Sequence, residues 1–327
     1  MGFNGIWIAG LAILLQQQPV QPVQPELPYI VPEHLTIEFR GQPLAQLKRE
    51  EYGLPGTSFL DTGKFDSLLS KLDKRISMPP VNAYIGDRGT IVPEQSGYQL
   101  DRDQFATQFY GYFFNNKPST IELPITHMHA RVDSELLASI KEKAIGHYVT
   151  YYNSSNKNRS HNISLAAKAI SNTVVFPGET FSFNRTVGPR TPEKGYMSAP
   201  IIVRGELSEG VGGGICQVSS TLFNAIDSAG LTIIQRYSHS RHVPYVMPGR
   251  DATVSWDGPD FVFKNQYNQP VLIRAFAGGG RVFVSVYSSE LIEYKHRDIP
   301  SMSKKLPEEV AFKSQHHDSN EGTGLLP

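Results

Sequence analysis

Apolar residues recur at helical spacing directly after a run of three glycines, Gly212, Gly213 and Gly214. They follow one another at intervals of three or four residues, the period of a buried helix face, at Ile215, Val218, Leu222, Ile226 and Ala229. Gly230 then supplies the usual C-terminal stop. The pattern predicts a buried helix whose first turn carries Cys216, the only cysteine in the 327 residues.

Helical periods and capping residues predict four more helices. A stripe of apolar residues from Phe65 to Ile76 marks the first, and Asp101 caps a second that is rich in aromatic residues. A third covers residues 132–145, and a fourth covers residues 163–171 behind the capping residue Asn162.

Strands are predicted where β-branched and aromatic residues cluster between turn signals, namely over 231–237, 261–276 and 281–287. A hairpin is predicted over 83–92, and two short strands lie between 174 and 183. We therefore predict an α+β protein of two domains, in which the C-terminal domain packs the Cys216 helix on an antiparallel sheet.

Composition divides the chain into four segments. Residues 1–28 combine an apolar run with a spacer of proline and glutamine, and residues 29–132 have the mixed elements of a first domain. Residues 133–290 form a second domain that contains Cys216. Residues 291–327 are polar, which predicts a disordered tail.

The first segment predicts an extracytoplasmic protein. Residues 6–15 are apolar and uncharged, a run too short for a comfortable membrane span and long enough for the hydrophobic part of an export signal. The run lacks basic residues before it and a small-residue cleavage site after it, so an uncleaved membrane anchor and a misassigned start codon both stay open. The rest of the chain would lie in the cell wall or on the outer side of the membrane.

Charge and cysteine content exclude several classes of protein. Lys plus Arg and Asp plus Glu each number 31, and no long basic run occurs, so the electrostatic signature of nucleic-acid binding is missing. One cysteine cannot form an internal disulfide, and the pair His316 and His317 is too isolated for a metal site. We expect no nucleic-acid partner, no metal and no cofactor.

Cys216 is the main candidate for chemistry. A thiol in the first turn of a helix lies near unpaired N–H groups and the positive end of the helix dipole, which favour the thiolate. Gly212, Gly213, Gly214 and Gln217 are candidates for a substrate loop or an oxyanion site, because glycines let a backbone approach a substrate closely. The alternative is a small, buried, structural cysteine.

A nucleophilic thiol needs a base, and two histidines follow the strand after the predicted helix. His239 or His242 could take the thiol proton. Asp251, behind a Pro-Gly turn, could orient the imidazole, pair with a nearby arginine, or act only as a turn residue.

The motifs that frame Cys216 resemble the VanW domain over roughly residues 145–275. They are Phe-Ser-Phe-Asn at 181–184, Gly-Pro at 188–189, Gly-Tyr at 195–196, the glycine and cysteine run at 212–223, His-Ser at 239–240 and Gly-Arg-Asp-Ala-Thr-Val at 249–254. Some members of this family are described as L,D-transpeptidases that use the domain's cysteine. The resemblance thus implies Cys216 as nucleophile and His239, of the His-Ser pair, as base.

Residues 89–101 resemble, more weakly, the peptidoglycan-binding-like domain that often precedes VanW. A first domain that only spaces the second from the membrane is the alternative.

The resemblance implies a cell-wall enzyme that acts on peptidoglycan stem peptides. Candidate substrate ligands are Arg236, Ser240, Arg241 and Arg250. The arginines could bind stem carboxylates or could be paired surface charges, and both transpeptidation and hydrolysis stay open. A non-catalytic peptidoglycan-binding or scaffold protein, with a structural Cys216, is the alternative from another class, and a redox-sensing thiol is a third.

Overall fold

The computed structural model describes residues 34–115, 120–203 and 206–302. It confirms the predicted α+β class, with helices and several antiparallel sheets in the same chain. The α-helices of the described residues are α1 (Thr62–Ile76), α2 (Arg102–Asn115), α3 (Ser134–Ile140), α4 (Lys157–Ile170), α5 (Phe183–Val187) and α6 (Ile215–Ser228).

The strands of the described residues are mostly short. They are β1 (His34–Phe39), β2 (Gln42–Lys48), β3 (Tyr84–Ile85), β4 (Ile91–Val92), β5 (Gly97–Leu100), β6 (Thr120–Glu122), β7 (Ile125–Met128), β8 (Lys143–Tyr151), β9 (Thr173–Val175), β10 (Thr180–Ser182), β11 (Ser198–Val203), β12 (Glu206–Val211), β13 (Thr232–Gln235), β14 (Val262–Lys264), β15 (Val271–Gly278) and β16 (Arg281–Ser288).

The described residues fall into two compact units. The first unit contains residues 34–77, 99–115 and 120–126, and the second contains residues 78–98, 127–203 and 206–302. The stretch 78–98, which the sequence analysis assigns to the first domain, therefore groups with the second unit. The domain boundary near residue 132 stays a prediction.

The first unit combines a three-stranded sheet with two helices. Strand β1 pairs antiparallel with β2 and parallel with β6. Leu35 and Ile37 alternate along β1 and are fully buried in one core with the apolar residues of α1 and α2. The predicted stripe from Phe65 to Ile76 is the buried face of α1. Asp101 Oδ1 accepts a hydrogen bond of 2.9 Å from Gln104 N, so the predicted cap is confirmed.

The second unit is built on a four-stranded antiparallel sheet in the order β8-β16-β15-β9. A second antiparallel sheet has the order β10-β14-β13, and β11 pairs with β12 in a separate hairpin. The strands predicted over 261–276 and 281–287 and the hairpin predicted over 83–92 are confirmed by β14, β15, β16, β3 and β4.

Helix α6 packs on strands β8 and β16, which confirms the helix predicted after the glycine run and places Cys216 in its first turn. The helix comes so close to β8 that glycine is required at one point. A Cβ on Gly146 would lie only 2.6 Å from Ala225 O and from Ala229 N. The backbone of β8 thus touches the last turns of α6.

Gly146→Ala is expected to lower the free energy of unfolding by about 1–3 kcal/mol, because the added methyl group must push α6 away from β8. Urea unfolding of the purified protein measures this. Gly86→Ala is the matched control, since a Cβ at Gly86 meets no atom closer than 3.6 Å. Equal stability of the two variants would contradict the close approach of α6 to β8.

Two predicted helices are wrong in their bounds. The helix predicted over 132–145 ends at Ile140, because the chain enters strand β8 at Lys143. The helix predicted over 163–171 already begins at Lys157, and its cap is Asn156, whose side chain accepts a hydrogen bond from Arg159 N. The predicted cap, Asn162, is instead a fully buried residue inside α4.

Of the two ends of the chain, the structure describes only part of the predicted C-terminal tail. The predicted export segment, residues 6–15, and residues 303–327 of the predicted tail lie outside the described residues. Residues 291–302 of that tail pack on the second unit, where Ile292 is buried and Tyr148 Oη donates a hydrogen bond to Pro300 O at 3.1 Å. Within the described ranges, no helix is both long enough and apolar enough to cross a membrane.

Candidate active site

The glycine run fixes the start of α6. Gly214 is the N-cap and has a φ of 106°, a left-handed conformation that glycine adopts without strain. Gly213 is buried, and its carbonyl oxygen accepts a hydrogen bond of 3.1 Å from Asn162 Nδ2. Because Asn162 also exchanges hydrogen bonds of 2.8 Å with the backbone of Met197, α4 holds the glycine run in place. Gly212 and Gly214 line the cleft described below.

The partly buried thiol of Cys216 lies among three polar groups. It donates to Val254 O at 3.5 Å, and its Sγ is 3.7 Å from Thr253 Oγ1. The third group is the imidazole of His239, which is near enough to the thiol for each group to shift the pKa of the other. The structure therefore brings together the cysteine and one of the two candidate bases.

Asp251 continues this set of polar contacts. Its Oδ2 is 2.6 Å from His239 Nδ1 and 2.6 Å from the backbone N of His239. The two side chains are only 7% and 9% exposed. Because the carboxylate accepts from Nδ1, the other ring nitrogen, Nε2, is the one available to Cys216. Of the three roles considered for Asp251, the geometry is that of an imidazole-orienting carboxylate.

These contacts shift the pKa values of all three groups. Burial raises the pKa of the Cys216 thiol, and the interaction with His239 lowers it. The lowering effects together outweigh burial, so the pKa lies below its usual range. Burial lowers the pKa of His239, but contacts with Cys216 and Asp251 outweigh it and raise the pKa. Burial raises the pKa of Asp251, and the hydrogen bonds from His239 lower it on balance. The shifts favour a thiolate and imidazolium pair beside a carboxylate.

Polar residues of α6 hold the segment 250–254 against the helix. Ser220 Oγ accepts a hydrogen bond of 2.9 Å from Ala252 N. Asn224 Nδ2 donates to Arg250 O at 2.8 Å. Both polar side chains are fully buried. Breaking their hydrogen bonds would leave buried polar groups without partners, which is energetically costly. This docking places the carboxylate of the site beside the helix N-terminus.

The side-chain amide of Gln217, a candidate for the oxyanion or substrate loop, forms hydrogen bonds with buried groups of the protein. Its Oε1 accepts a hydrogen bond of 2.7 Å from Arg159 Nη2. Its Nε2 donates to Thr150 Oγ1 at 2.9 Å and to Tyr151 O at 3.0 Å. The fully buried amide thus ties α6 to both α4 and β8.

Two of the candidate arginines also form polar contacts with other residues of this chain. Arg236 Nη1 donates to Gly249 O and to Asp251 O, each at 2.8 Å. Arg250 Nη2 forms an ion pair of 2.7 Å with Asp227 Oδ2. Neither arginine is among the residues that line the cleft. Their contacts stabilise the turn that carries Asp251.

Cys216 opens into a cleft of about 1740 Å³ whose lining residues all belong to the second unit. Its walls come from the hairpin β11–β12, from residues 151–159 and from residues 239–259. Arg241 and His242 are exposed on its wall, whereas Ser240 is exposed but does not line it. The cleft is larger than the roughly 300–1,000 Å³ of common small-molecule pockets and suits a chain-like ligand.

Tyr245 and Arg190 are among the side chains of the cleft that were not predicted from the sequence. The ring of Tyr245 is nearly perpendicular to that of His239, with centroids 6.4 Å apart. Burial and the neighbouring Cys216 charge raise the pKa of Tyr245 well above its usual range, so its hydroxyl keeps its proton. The signal for Arg190 was its place directly after the Gly-Pro motif at 188–189.

No three side chains of His, Cys, Asp or Glu come close enough together to hold a metal ion in the part of the chain that the structure describes. The titratable side chains that interact at the site are those of Cys216, His239 and Asp251.

A thiol, a neighbouring imidazole and a carboxylate that is hydrogen-bonded to the imidazole define a cysteine-centred site at a helix N-terminus of an α+β fold. The family model described as "VanW like protein" matches residues 158–287, which include all three groups. The uncharacterized protein YoaR of Bacillus subtilis (strain 168) is 54% identical over 307 residues, covering 93% of this chain and 98% of YoaR. The chain therefore belongs to the VanW-like protein family.

A second relative carries the name of the family. Vancomycin B-type resistance protein VanW of Enterococcus faecalis (strain ATCC 700802 / V583) is 37% identical over 117 residues, which are 33% of this chain and 42% of that protein. No solved structure matches the chain. The family model does not reach residues 89–101, so their likeness to a peptidoglycan-binding domain stays a prediction.

Proposed function

We propose that this protein is a cysteine-dependent acyltransferase, similar to an L,D-transpeptidase, that acts on peptidoglycan stem peptides outside the cytoplasm. The observation that carries the proposal is the row of Cys216, His239 and Asp251 beside an open cleft, in which His239 interacts with the thiol and is hydrogen-bonded to the carboxylate. The size of the cleft and the kinship with a protein named for vancomycin resistance support a cell-wall peptide as substrate. Residues 6–15 would export the chain or anchor it to the membrane.

Acylation begins with the thiolate of Cys216, whose proton resides on His239. The sulfur attacks the carbonyl carbon that precedes the terminal D-alanine of a donor stem, forming a C–S bond and an oxyanion. When the C–N bond breaks, the imidazolium of His239 gives its Nε2 proton to the departing nitrogen. D-alanine leaves, and a thioester on Cys216 remains.

The oxyanion needs a hydrogen-bond donor close to the sulfur. The backbone N–H groups of Ile215 and Gln217 already donate to Gly212 O at 3.3 Å and to Gly214 O at 3.0 Å. The N–H of Cys216 has no hydrogen-bond partner among residues 34–115, 120–203 and 206–302. At the N-terminus of α6 this group and the helix dipole would both stabilise the negative oxygen.

Deacylation transfers the acyl group to an amine of a second stem. The amine nitrogen attacks the thioester carbon and gives a proton to the neutral His239, and the C–S bond breaks to restore the thiolate and imidazolium pair. Water in place of the amine gives the hydrolytic outcome, with a shortened stem as product.

Intact-protein mass spectrometry of the full chain with tetrapeptide muropeptides tests the proposal. We expect an acyl adduct on the wild-type protein and either a cross-linked dimer or a shortened stem in solution. Cys216→Ala should give no adduct and no product. Cross-linked dimer identifies transfer, and shortened stem identifies hydrolysis.

An unmodified wild-type protein that forms no product, although its thiol is accessible to iodoacetamide, would overturn the proposal. If that protein and Cys216→Ala both sedimented with purified peptidoglycan, the non-catalytic wall-binding function would take its place. A stable sulfenate or mixed disulfide on Cys216, without turnover, would instead identify a redox-sensing thiol.

A further inference from the structure

Arg190 is a charged residue of the cleft that the proposed chemistry does not use. It follows α5 in the chain, is partly exposed, and lines the same cleft as Cys216. Its side chain lies against the glycine run, since a Cβ on Gly212 would be 3.3 Å from Arg190 Cβ. The guanidinium is near enough to Cys216 for the two charges to interact.

Neighbouring groups hold the guanidinium of Arg190 in one orientation. Its Nη2 donates to Asn184 Oδ1 at 2.7 Å, and its Cζ is 5.8 Å from the centroid of the Phe183 ring. The amide of Asn184 is itself fixed, because its Nδ2 donates to Ser255 O at 2.8 Å and to Pro259 O at 3.1 Å. The arginine is thus preorganised by neutral partners.

The guanidinium of Arg190 keeps an unsatisfied donor, although the carboxylate of Asp260 lies near enough for the two charges to interact. Its Nη1 is buried and has no hydrogen-bond partner among the described residues, and no described carboxylate forms an ion pair with it. Burial lowers the pKa of Arg190, but a guanidinium stays protonated in proteins. A donor that is buried without a partner destabilises the folded protein, so such a group calls for a functional explanation.

We propose that Arg190 binds the free α-carboxylate of the acyl donor's last residue. This inference rests on the proposed function of Cys216. A guanidinium matches a carboxylate in charge and in planar geometry, and the terminal carboxylate of a stem is the one next to the scissile bond. Arg190 therefore makes the site selective for the last residue of a peptide and excludes internal peptide bonds, which offer no carboxylate at that position.

Two alkylating reagents test the anion site without any turnover. Iodoacetate and iodoacetamide react with the same thiolate by the same step, in which sulfur bonds to the CH₂ carbon and iodide leaves. The ratio of their rate constants thus cancels the pKa and nucleophilicity of Cys216 and reports the local preference for a carboxylate. We expect Arg190→Gln to lower the ratio of iodoacetate to iodoacetamide rates about tenfold, as expected when one nearby charge is lost.

Matched variants separate this site from general charge effects. Arg185→Gln removes an exposed arginine that does not line the cleft, and its ratio should stay at the wild-type value. Arg190→Lys keeps the positive charge and should keep most of the preference for iodoacetate. Retention of that preference would show that the loss in Arg190→Gln comes from the missing charge and not from misfolding. An unchanged ratio in a folded Arg190→Gln would overturn the proposal, and so would a loss that follows Arg159→Gln instead.

The donor peptide supplies the second measurement. Wild-type protein should form its acyl adduct much faster with a tetrapeptide acid than with the same peptide as a C-terminal amide, and Arg190→Gln should lose that discrimination. An equal preference for acid and amide in the wild type would contradict the assignment to the terminal carboxylate. If no peptide acylates Cys216, the function proposed above fails, while the alkylation ratio still decides whether Arg190 forms an anion site.

Discussion

His239→Ala is expected to slow the alkylation of Cys216 by iodoacetamide at pH 6 by about 100-fold or more. A thiol with an ordinary pKa of about 8.5 is less than about 1% ionised at that pH. In the wild-type protein, burial raises the pKa of Cys216, but His239 lowers it on balance. Without His239, the largest influence that lowers the pKa is lost, and the contacts with Val254 and Thr253 remain against the effect of burial, so the thiolate population falls.

The signs of the pKa shifts give the shape of the pH profile. The lowered pKa of Cys216 keeps its thiolate as the pH falls below the usual range of a cysteine, and the raised pKa of His239 keeps its imidazolium as the pH rises above the usual range of a histidine. The reactive pair is therefore populated between the two values. The wild-type rate should fall only on the acid side, and the His239→Ala profile should move to higher pH.

His242→Ala is the matched control for this measurement. His242 is exposed and also lines the cleft, but it is not among the groups that shift the pKa of Cys216. Its pH profile should coincide with the wild type. A profile that moved in His242→Ala and not in His239→Ala would show that the other histidine is the base.

The position of Cys216 could be predicted because its signals are local. The apolar period, the preceding glycines and Gly230 all lie within a few turns of the helix, and the helix formed where they indicate. The same holds for α1 and for the cap at Asp101. Short-range patterns thus fixed the element that carries the nucleophile.

Elements that depend on distant partners could not be predicted in this way. The helix predicted over 132–145 runs into the first three residues of strand β8, and the glycine at 146 is explained only by the contact with α6. Asn162 has the composition of a helix cap, yet its amide bonds to Met197 and Gly213, far along the chain. Local propensity was overridden by tertiary contacts in both cases.

Three arginines, of which Arg190 was not a candidate in the sequence, show the same limit at the site. In sequence, Arg190, Arg236 and Arg250 are equivalent cations near a reactive cysteine. The fold gives Arg236 two backbone carbonyls and gives Arg250 an ion pair with a carboxylate, while Arg190 donates to a neutral amide, lies near an aromatic ring and forms no ion pair with a described carboxylate. Which charge remains for a ligand is thus decided by residues that no local pattern connects.

Asp251→Asn is expected to reduce the alkylation and acylation rates of Cys216 near neutral pH by about 10- to 100-fold. The amide keeps the size and the acceptor oxygen of the carboxylate but removes the negative charge 2.6 Å from His239 Nδ1. In a buried site that charge stabilises the imidazolium, and the imidazolium in turn stabilises the thiolate. Loss of the charge should lower the pKa of His239 and raise that of Cys216, which depopulates the reactive pair.

A pH profile distinguishes this effect from simple loss of structure. In Asp251→Asn, the acid limb of the alkylation profile should move to higher pH while the urea midpoint shows that the protein is folded. Asp298→Asn removes an exposed carboxylate that does not line the cleft and should leave the profile in place. An unshifted profile in a folded Asp251→Asn would mean that the carboxylate holds the position of His239 without tuning its charge, because a positioning role alone lowers rates without moving the titration.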